Sequence, residues 1–206
     1  MRKRQIKRLD QERTIIDQAG LLFWENGYDR TSMKDIARAC GFEQGNIYNY
    51  FHSKEQLLYE VIRKGTTQVI SEAVEKFKTN DGTKPEEQLR SLIKLTTKNA
   101  LGIGIKSRLL LDVELRNLSP YHQTRIIKLR DSFDKTVRAV IRRGIKSGDF
   151  DETDEKLAGF AIASTILRNR LWFSTTERLS AEEVAEFLSD FILNSLRYNR
   201  RKKAKT

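Results

Sequence analysis

Gln44, Asn46, Tyr48 and Asn49 crowd into six consecutive positions of a 206-residue chain. The amides of Asn and Gln can each make paired hydrogen bonds to an adenine edge, and a Tyr hydroxyl can donate to a phosphate oxygen. Ile47 and Phe51 stand one helical turn apart; if both face a small core, the polar groups turn outward together. Gly45 lets backbone approach backbone, as a helix start facing a phosphate requires. Lys54 opens the next helix, where its charge adds to the helix's positive end and can meet a phosphate. The bland alternative is that these groups only solvate an exposed helix.

The elements that would position them follow helical spacing. Ile15, Ala19, Leu22 and Phe23 form a stripe that stops at Asn26-Gly27. Met33, Ile36, Ala37 and Cys40 form the next, opened by Ser32-x-x-Asp35, a capping-box pattern, and closed by Gly41. A short helix over about 44–50 follows, and Ser53-x-x-Gln56 starts a long one through Leu58, Ile62, Val69, Ala73 and Phe77. Beyond the joint at 79–85, helices are expected at about 86–100, 102–117, 119–147, 153–175 and 180–198, the last capped by Ser180-x-x-Glu183. Strand signals are nearly absent, so the expected fold is all-α with about nine helices. Gly102-x-Gly104 lacks the strand before it and the Lys-Ser/Thr after it that a nucleotide loop needs; it reads as a hinge.

Composition narrows the functional class. Lone Cys40 excludes a disulfide framework, and with His52 and His122 it leaves too few ligands for a metal centre, so no metal or cofactor is expected. No run of about 18 apolar residues spans a membrane, and the basic start lacks a secretory apolar core, which points to the cytoplasm. The net charge of +11 resides entirely at the ends, with five Lys/Arg in residues 1–9 and six in residues 191–206. The C-terminal tail reads as a solvated end. The N-terminal run adjoins the polar helix and could reach phosphates or a minor groove.

Helix, glycine turn and short second helix is a helix-turn-helix layout. The run from Thr14 to about Ile62 closely resembles the N-terminal domain of the TetR/AcrR family of bacterial transcriptional regulators. The likeness is carried by Ile15, Ala19 and Phe23, by Asn26-Gly27-Tyr28, by Thr31–Ala37, by Gly41 and by Gly45–Leu57. Phe42-Glu43 departs from the small aliphatic residue and Ser more usual there; the glutamate either sharpens sequence choice by repulsion or sits off the groove. The resemblance implies a DNA-binding domain at residues 10–69, with its recognition unit at about 33–52, and a ligand-binding and dimerisation domain at 70–200. It places Thr31 and Ser32 on phosphate, Gln44, Gly45, Asn46 and Asn49 at base edges, and Tyr48 and Lys54 on the DNA backbone. Cys40, on an apolar face, reads as a packed small hydrophobe rather than a redox sensor.

A narrower likeness lies in Arg108–His122, Ser147–Phe150 and Leu171–Phe173, which resemble a subfamily that responds to acyl-coenzyme A thioesters. Where that subfamily has an Asn-Trp pair, this chain has Leu167-Arg168. Arg168 and Arg170 are then candidates to clamp coenzyme A phosphates, with Trp172 packed on the adenine or the acyl chain; salt bridges across a dimer are the alternative. The implied protein is a homodimeric repressor released from palindromic operator DNA by a small effector, an acyl-CoA thioester. A ligand-independent architectural DNA binder is the competing reading. A thioester-processing enzyme has only Ser or Asp near His122 to offer, and no enzyme is expected.

Overall fold

Ser32 shows how local chemistry starts the elements. In the computed structural model its hydroxyl accepts the Asp35 N–H while the Asp35 carboxylate accepts the Ser32 N–H, closing a capping box at the head of a helix. Asp35 is held below the ordinary carboxylate range by the Ser32 hydroxyl and N–H. The structure describes residues 2–77, 82–102, 115–169, 172–173 and 178–197, with backbone only at 2–4 and 44. Among these, eight α-helices and one 3-10 turn account for the regular structure, and no strand is present. The helices are α1 (Arg2–Asn26), α2 (Met33–Ala39), α3 (Gln44–Ile47), α4 (Lys54–Lys76), α5 (Pro85–Gly102), α6 (Pro120–Ser147), α7 (Glu155–Arg168) and α8 (Ala181–Ser195). The 3-10 turn covers Leu115–Asn117.

The all-α expectation holds, with differences in extent. The basic start is part of the first helix: α1 begins at Arg2, because Arg, Lys and Gln are good helix formers and no Gly or Pro breaks the run. The α3 helix ends at Ile47 rather than near Tyr50, and bonds from the Asn49 and Tyr50 N–H groups to carbonyls three residues back finish the turn. Most of the helix expected at 102–117, with the Gly104 side of the hinge, lies outside the described residues; its end is the 3-10 turn. The helix expected over 153–175 stops at Arg168.

The chain divides into two compact units, Met1–Thr66 with Gly104–Ile127, and Thr67–Ile103 with Lys128–Thr206. The first unit is built on Ile15, Ala19 and Phe23 of α1, Ile36 and Ala37 of α2, and Ile47, with Leu57, Leu58 and Ile62 of α4, all at most 2% exposed. Leu118 and Ile126 join this core from the far side of the sequence. The second unit packs Leu89, Leu92 and Ile93 of α5 against Val137, Val140 and Ile141 of α6, Ile162 and Ile166 of α7, and Val184, Leu188 and Ile192 of α8. Asp154 caps α7 and Ser180 caps α8 with a second capping box. No helix among the described residues is long and apolar enough to cross a membrane.

Candidate DNA-binding interface

Gly41 turns the chain between α2 and α3 at φ +69°, a left-handed conformation that a side chain would strain. The turn is tied by the Gly41 and Phe42 N–H groups, which donate to Arg38 and Ala37 carbonyls. Ile47 is fully buried and Phe51 nearly so, which fixes the rotation of the short helix. Asn46, Tyr48 and Asn49 therefore stand exposed, as the sequence pattern requires, while the Gln44 side chain lies outside the described residues. Gly45 is exposed too, and a Cβ placed on it meets nothing within 4 Å. Among the described residues nothing demands a glycine there.

Two expected contacts change on inspection. Thr31 is 2% exposed, and its hydroxyl donates to the Gly27 carbonyl at 2.8 Å with Leu22 O at 3.2 Å. That side chain braces the α1–α2 joint and is not presented to a phosphate. Ser32 is exposed, but its hydroxyl is engaged with Asp35. Lys54 does open α4, and its Nζ donates to the Tyr28 carbonyl at 2.9 Å and lies 4.2 Å from the Tyr28 ring centre. With Asp29 O at 3.4 Å, two of three ammonium donors point inward and one remains.

Sequence reasoning missed the groups that anchor this unit. Tyr50 donates its hydroxyl to Gln11 Oε1 at 2.6 Å and stacks on Phe42. Glu55, second residue of α4, accepts the Ser119 N–H at 2.8 Å and His122 Nδ1–H at 2.8 and 3.0 Å to its two oxygens. The His122 ring also lies flat on Tyr59, centroids 4.0 Å apart. His122 is thus a half-buried joint, not the surface residue its place near Pro120 suggests. Burial pushes the Glu55 carboxyl up, but the Ser119 N–H and the His122 ring outweigh it and hold it below the usual range. Burial raises the Cys40 thiol, which keeps it unreactive, as a packing residue would be.

In the second unit, Arg168 ends α7 exposed to solvent and Trp172 is 54% exposed, while Arg170 lies outside the described residues. Between them Asn169 is 4% exposed, and its amide Nδ2 has no hydrogen-bond partner among the described residues. Thr97 of α5 is fully buried, its hydroxyl likewise without a partner among the described residues. The apolar stripes of α7 and α8 split: Ile162 and Ile166 are core, whereas Leu157, Phe160, Phe187 and Phe191 are 48–65% exposed. Phe187 and Phe191 stack with centroids 6.1 Å apart.

Comparison with known proteins agrees with this layout. Residues 15–61 match the family described as "Bacterial regulatory proteins, tetR family". Residues 82–196, more than half the chain, match "Tetracyclin repressor-like, C-terminal domain". The chain is 24% identical over 184 residues to the HTH-type transcriptional repressor KstR2 of Rhodococcus jostii (strain RHA1), covering 88% of this chain and 89% of that protein. The crystal structure of the TetR family transcriptional regulator PfmR from Thermus thermophilus superposes with a TM-score of 0.78 at 32% identity, over 87% of this chain and 97% of that one. AibR, in a crystal structure with isovaleryl coenzyme A and operator DNA, shares the fold at a TM-score of 0.74 and 23% identity, over 90% of this chain and 97% of that one. The helix-turn-helix unit with its outward Asn, Tyr and Asn side chains, joined in one chain to a second helical unit, is that of a DNA-binding transcriptional repressor and not of an enzyme: the chain belongs to the TetR family.

Proposed function

We propose that the protein acts as a homodimeric repressor that leaves a palindromic operator when a small effector, an acyl-CoA thioester, binds its second unit. The carrying observation is the presentation of Asn46, Tyr48 and Asn49 on a turn whose rotation is fixed by buried Ile47 and Phe51. Asn46 and Asn49 read base edges, and Tyr48 with the remaining Lys54 donor holds the backbone. Ser32 contributes at the start of α2, and Gln44 and Gly45 at the start of α3. The proposed functional domains, DNA binding over 10–69 and effector binding with dimerisation over 70–200, differ in bounds from the compact units, in which 104–127 groups with 1–66.

The effector reading is supported by the isovaleryl coenzyme A bound in the AibR complex and by the chemistry of the second unit. A thioester needs an apolar interior for its chain and cationic groups at its phosphates. The core of the second unit is mostly apolar, and among the described residues the buried Thr97 hydroxyl and Asn169 amide have no hydrogen-bond partner there, which a polar atom of a ligand would satisfy. Solvent-facing Arg168 and Trp172 suit the hydrated coenzyme A end, with Arg170 beside them in sequence.

Duplexes enriched from random DNA by the full-length protein, with and without acyl-CoA thioesters of several chain lengths, test both halves. A palindromic site lost on adding long-chain acyl-CoA, and retained with free coenzyme A, is the expected result. Calorimetry without heat for short, medium and long thioesters would remove the effector. Weak sequence preference with no ligand effect would favour an architectural DNA binder.

A further inference from the structure

The first thirteen residues of α1 precede its first fully buried residue, Ile15, and therefore extend roughly 20 Å beyond the core contact. Residues 2–8 of this extension hold five Lys/Arg and no acid. Lys3 with Lys7, and Arg4 with Arg8, stand at i, i+4, a spacing at which like charges oppose the helix. The α1 first turn has no acidic residue to balance them. Apolar burial does not explain the extension, since Ile6 is 52% and Leu9 49% exposed. The sequence has placed a cationic strip where folding stability would not.

What holds the strip is Tyr50, next in sequence to Asn49. Its hydroxyl donates to Gln11 at 2.6 Å, its ring lies 6.0 Å from the Arg8 guanidinium, and the ring stacks on Phe42 at 6.4 Å and 14°. Arg8 remains 64% exposed, its one acid contact among the described residues being Glu12 at 3.3 Å in the same helix. Lys7 makes no ion pair among the described residues. Through Gln11 and Arg8, the helix that carries these cations is thus tied to the body that carries α3. A duplex presents about one negative charge per 1.7 Å of its axis, a partner of matching charge.

We propose that residues 2–8 form a second phosphate-binding surface, held against the reading unit by Tyr50, which grips the duplex outside the bases read by α3. The proposal rests on the reading of α3 as the DNA-reading helix. Tyr50 is its positioning residue: it faces inward, to Gln11 and Phe42, and acts through the strip.

The test uses the full-length protein and a duplex enriched from random sequence, cut to two or to eight base pairs beyond the enriched bases. Binding is followed by anisotropy over a range of KCl concentrations. Wild type is expected to bind the longer duplex at least tenfold tighter. The Lys3→Gln, Arg4→Gln, Lys7→Gln, Arg8→Gln variant should lose that preference, keep its choice of enriched bases, and flatten the log–log salt slope by roughly 2–4 per subunit, about 0.9 for each phosphate no longer neutralised. Tyr50→Phe, which keeps the ring and removes the hydroxyl, should lose part of the length preference while staying folded, its melting temperature lower by at most about 4 °C. An unchanged slope and length preference in both variants would overturn the proposal while leaving the α3 reading intact. Loss of binding to phosphatidylserine vesicles in the quadruple variant, with the DNA slope unchanged, would assign the strip to a membrane surface and overturn it too. Failure to enrich any sequence would overturn both readings together.

Discussion

Asn49 and Tyr48 are neighbours, yet their proposed partners differ, and so do the expected consequences of losing them. Asn49→Ala removes a base contact and should cost about 1–3 kcal/mol while relaxing preference at one position per half-site. Tyr48→Phe removes a phosphate donor and should weaken all sequences alike. Equal, sequence-independent losses in competition assays would remove base reading from Asn49. Gly45 offers a cleaner separation of folding from binding. Its surroundings are open, so Gly45→Ala should leave the fold intact or gain up to about 1 kcal/mol in helix propensity. If DNA comes close there, affinity should nevertheless drop; a higher melting temperature with unchanged affinity would end that role. These positions were legible because the polar groups alternate with Ile47 and Phe51, and burial of that pair dictates which side chains turn out. Thr31 was not legible: a threonine ahead of a helix start can turn its hydroxyl outward or back to the preceding turn, and here two carbonyls claim it. Asn169 gave no signal in the sequence, since an Asn beside arginines at a helix end is ordinarily solvated; here it is buried, and its amide Nδ2 is among the groups without a partner in the described residues.

At the scale of elements, the head of α4 carries two adjacent roles. Lys54 bonds the α1–α2 joint, and Glu55 ties the start of α6 through Ser119 and His122. Contacts 64 and 67 residues apart leave no trace in local periodicity, which is why this joint was invisible in the sequence. Capping boxes are local, and both Ser32-x-x-Asp35 and Ser180-x-x-Glu183 could be read directly. Glu55→Gln should cost about 1–2 kcal/mol at neutral pH, the scale of a hydrogen bond to a charged group. Because the folded carboxyl titrates below its unfolded value of about 4.3, the contribution is fully present above that pH. It is lost as pH falls through the lowered folded value, so wild type and Glu55→Gln should converge in acid. Denaturation curves showing a constant difference from pH 7 to pH 3 would contradict this. In the second unit, Gly144 of α6 faces Phe150 so closely that an added Cβ would lie 2.1 Å from the ring. The Phe150 N–H donates to the Gly144 carbonyl, which fixes the ring over the helix. Gly144→Ala should therefore destabilise by about 1–3 kcal/mol through overpacking, despite the better helix propensity of alanine. An equal or higher melting temperature would show that Phe150 yields freely.

At the scale of the whole molecule, α7 and α8 leave four large apolar side chains outside the core. Leu157 and Phe160 on α7, and Phe187 and Phe191 on α8, are exposed at 65%, 48%, 65% and 59%. Burying side chains of this size yields about 1.5–3 kcal/mol each, and exposed apolar groups on this scale commonly mark an interface. A second copy of the chain can cover them isologously, with α7 and α8 of each subunit forming a four-helix contact. Two-fold symmetry would then set the two α3 turns roughly 34–36 Å apart, on successive major grooves of a pseudo-palindrome. The aromatic pair is the best place to break this association, since Val184, Leu188 and Ile192 hold α8 to its own subunit from the other side. Phe187→Glu with Phe191→Glu should therefore yield a helical monomer. It should bind a single half-site as the wild type would, but lose the gain in affinity that two linked half-sites provide. Sedimentation at micromolar concentration, paired with binding to one-half-site and two-half-site duplexes, checks both consequences. A wild type that sediments as a monomer, or a double variant that still prefers the two-half-site duplex as strongly as wild type, would place the dimer contact elsewhere or remove it.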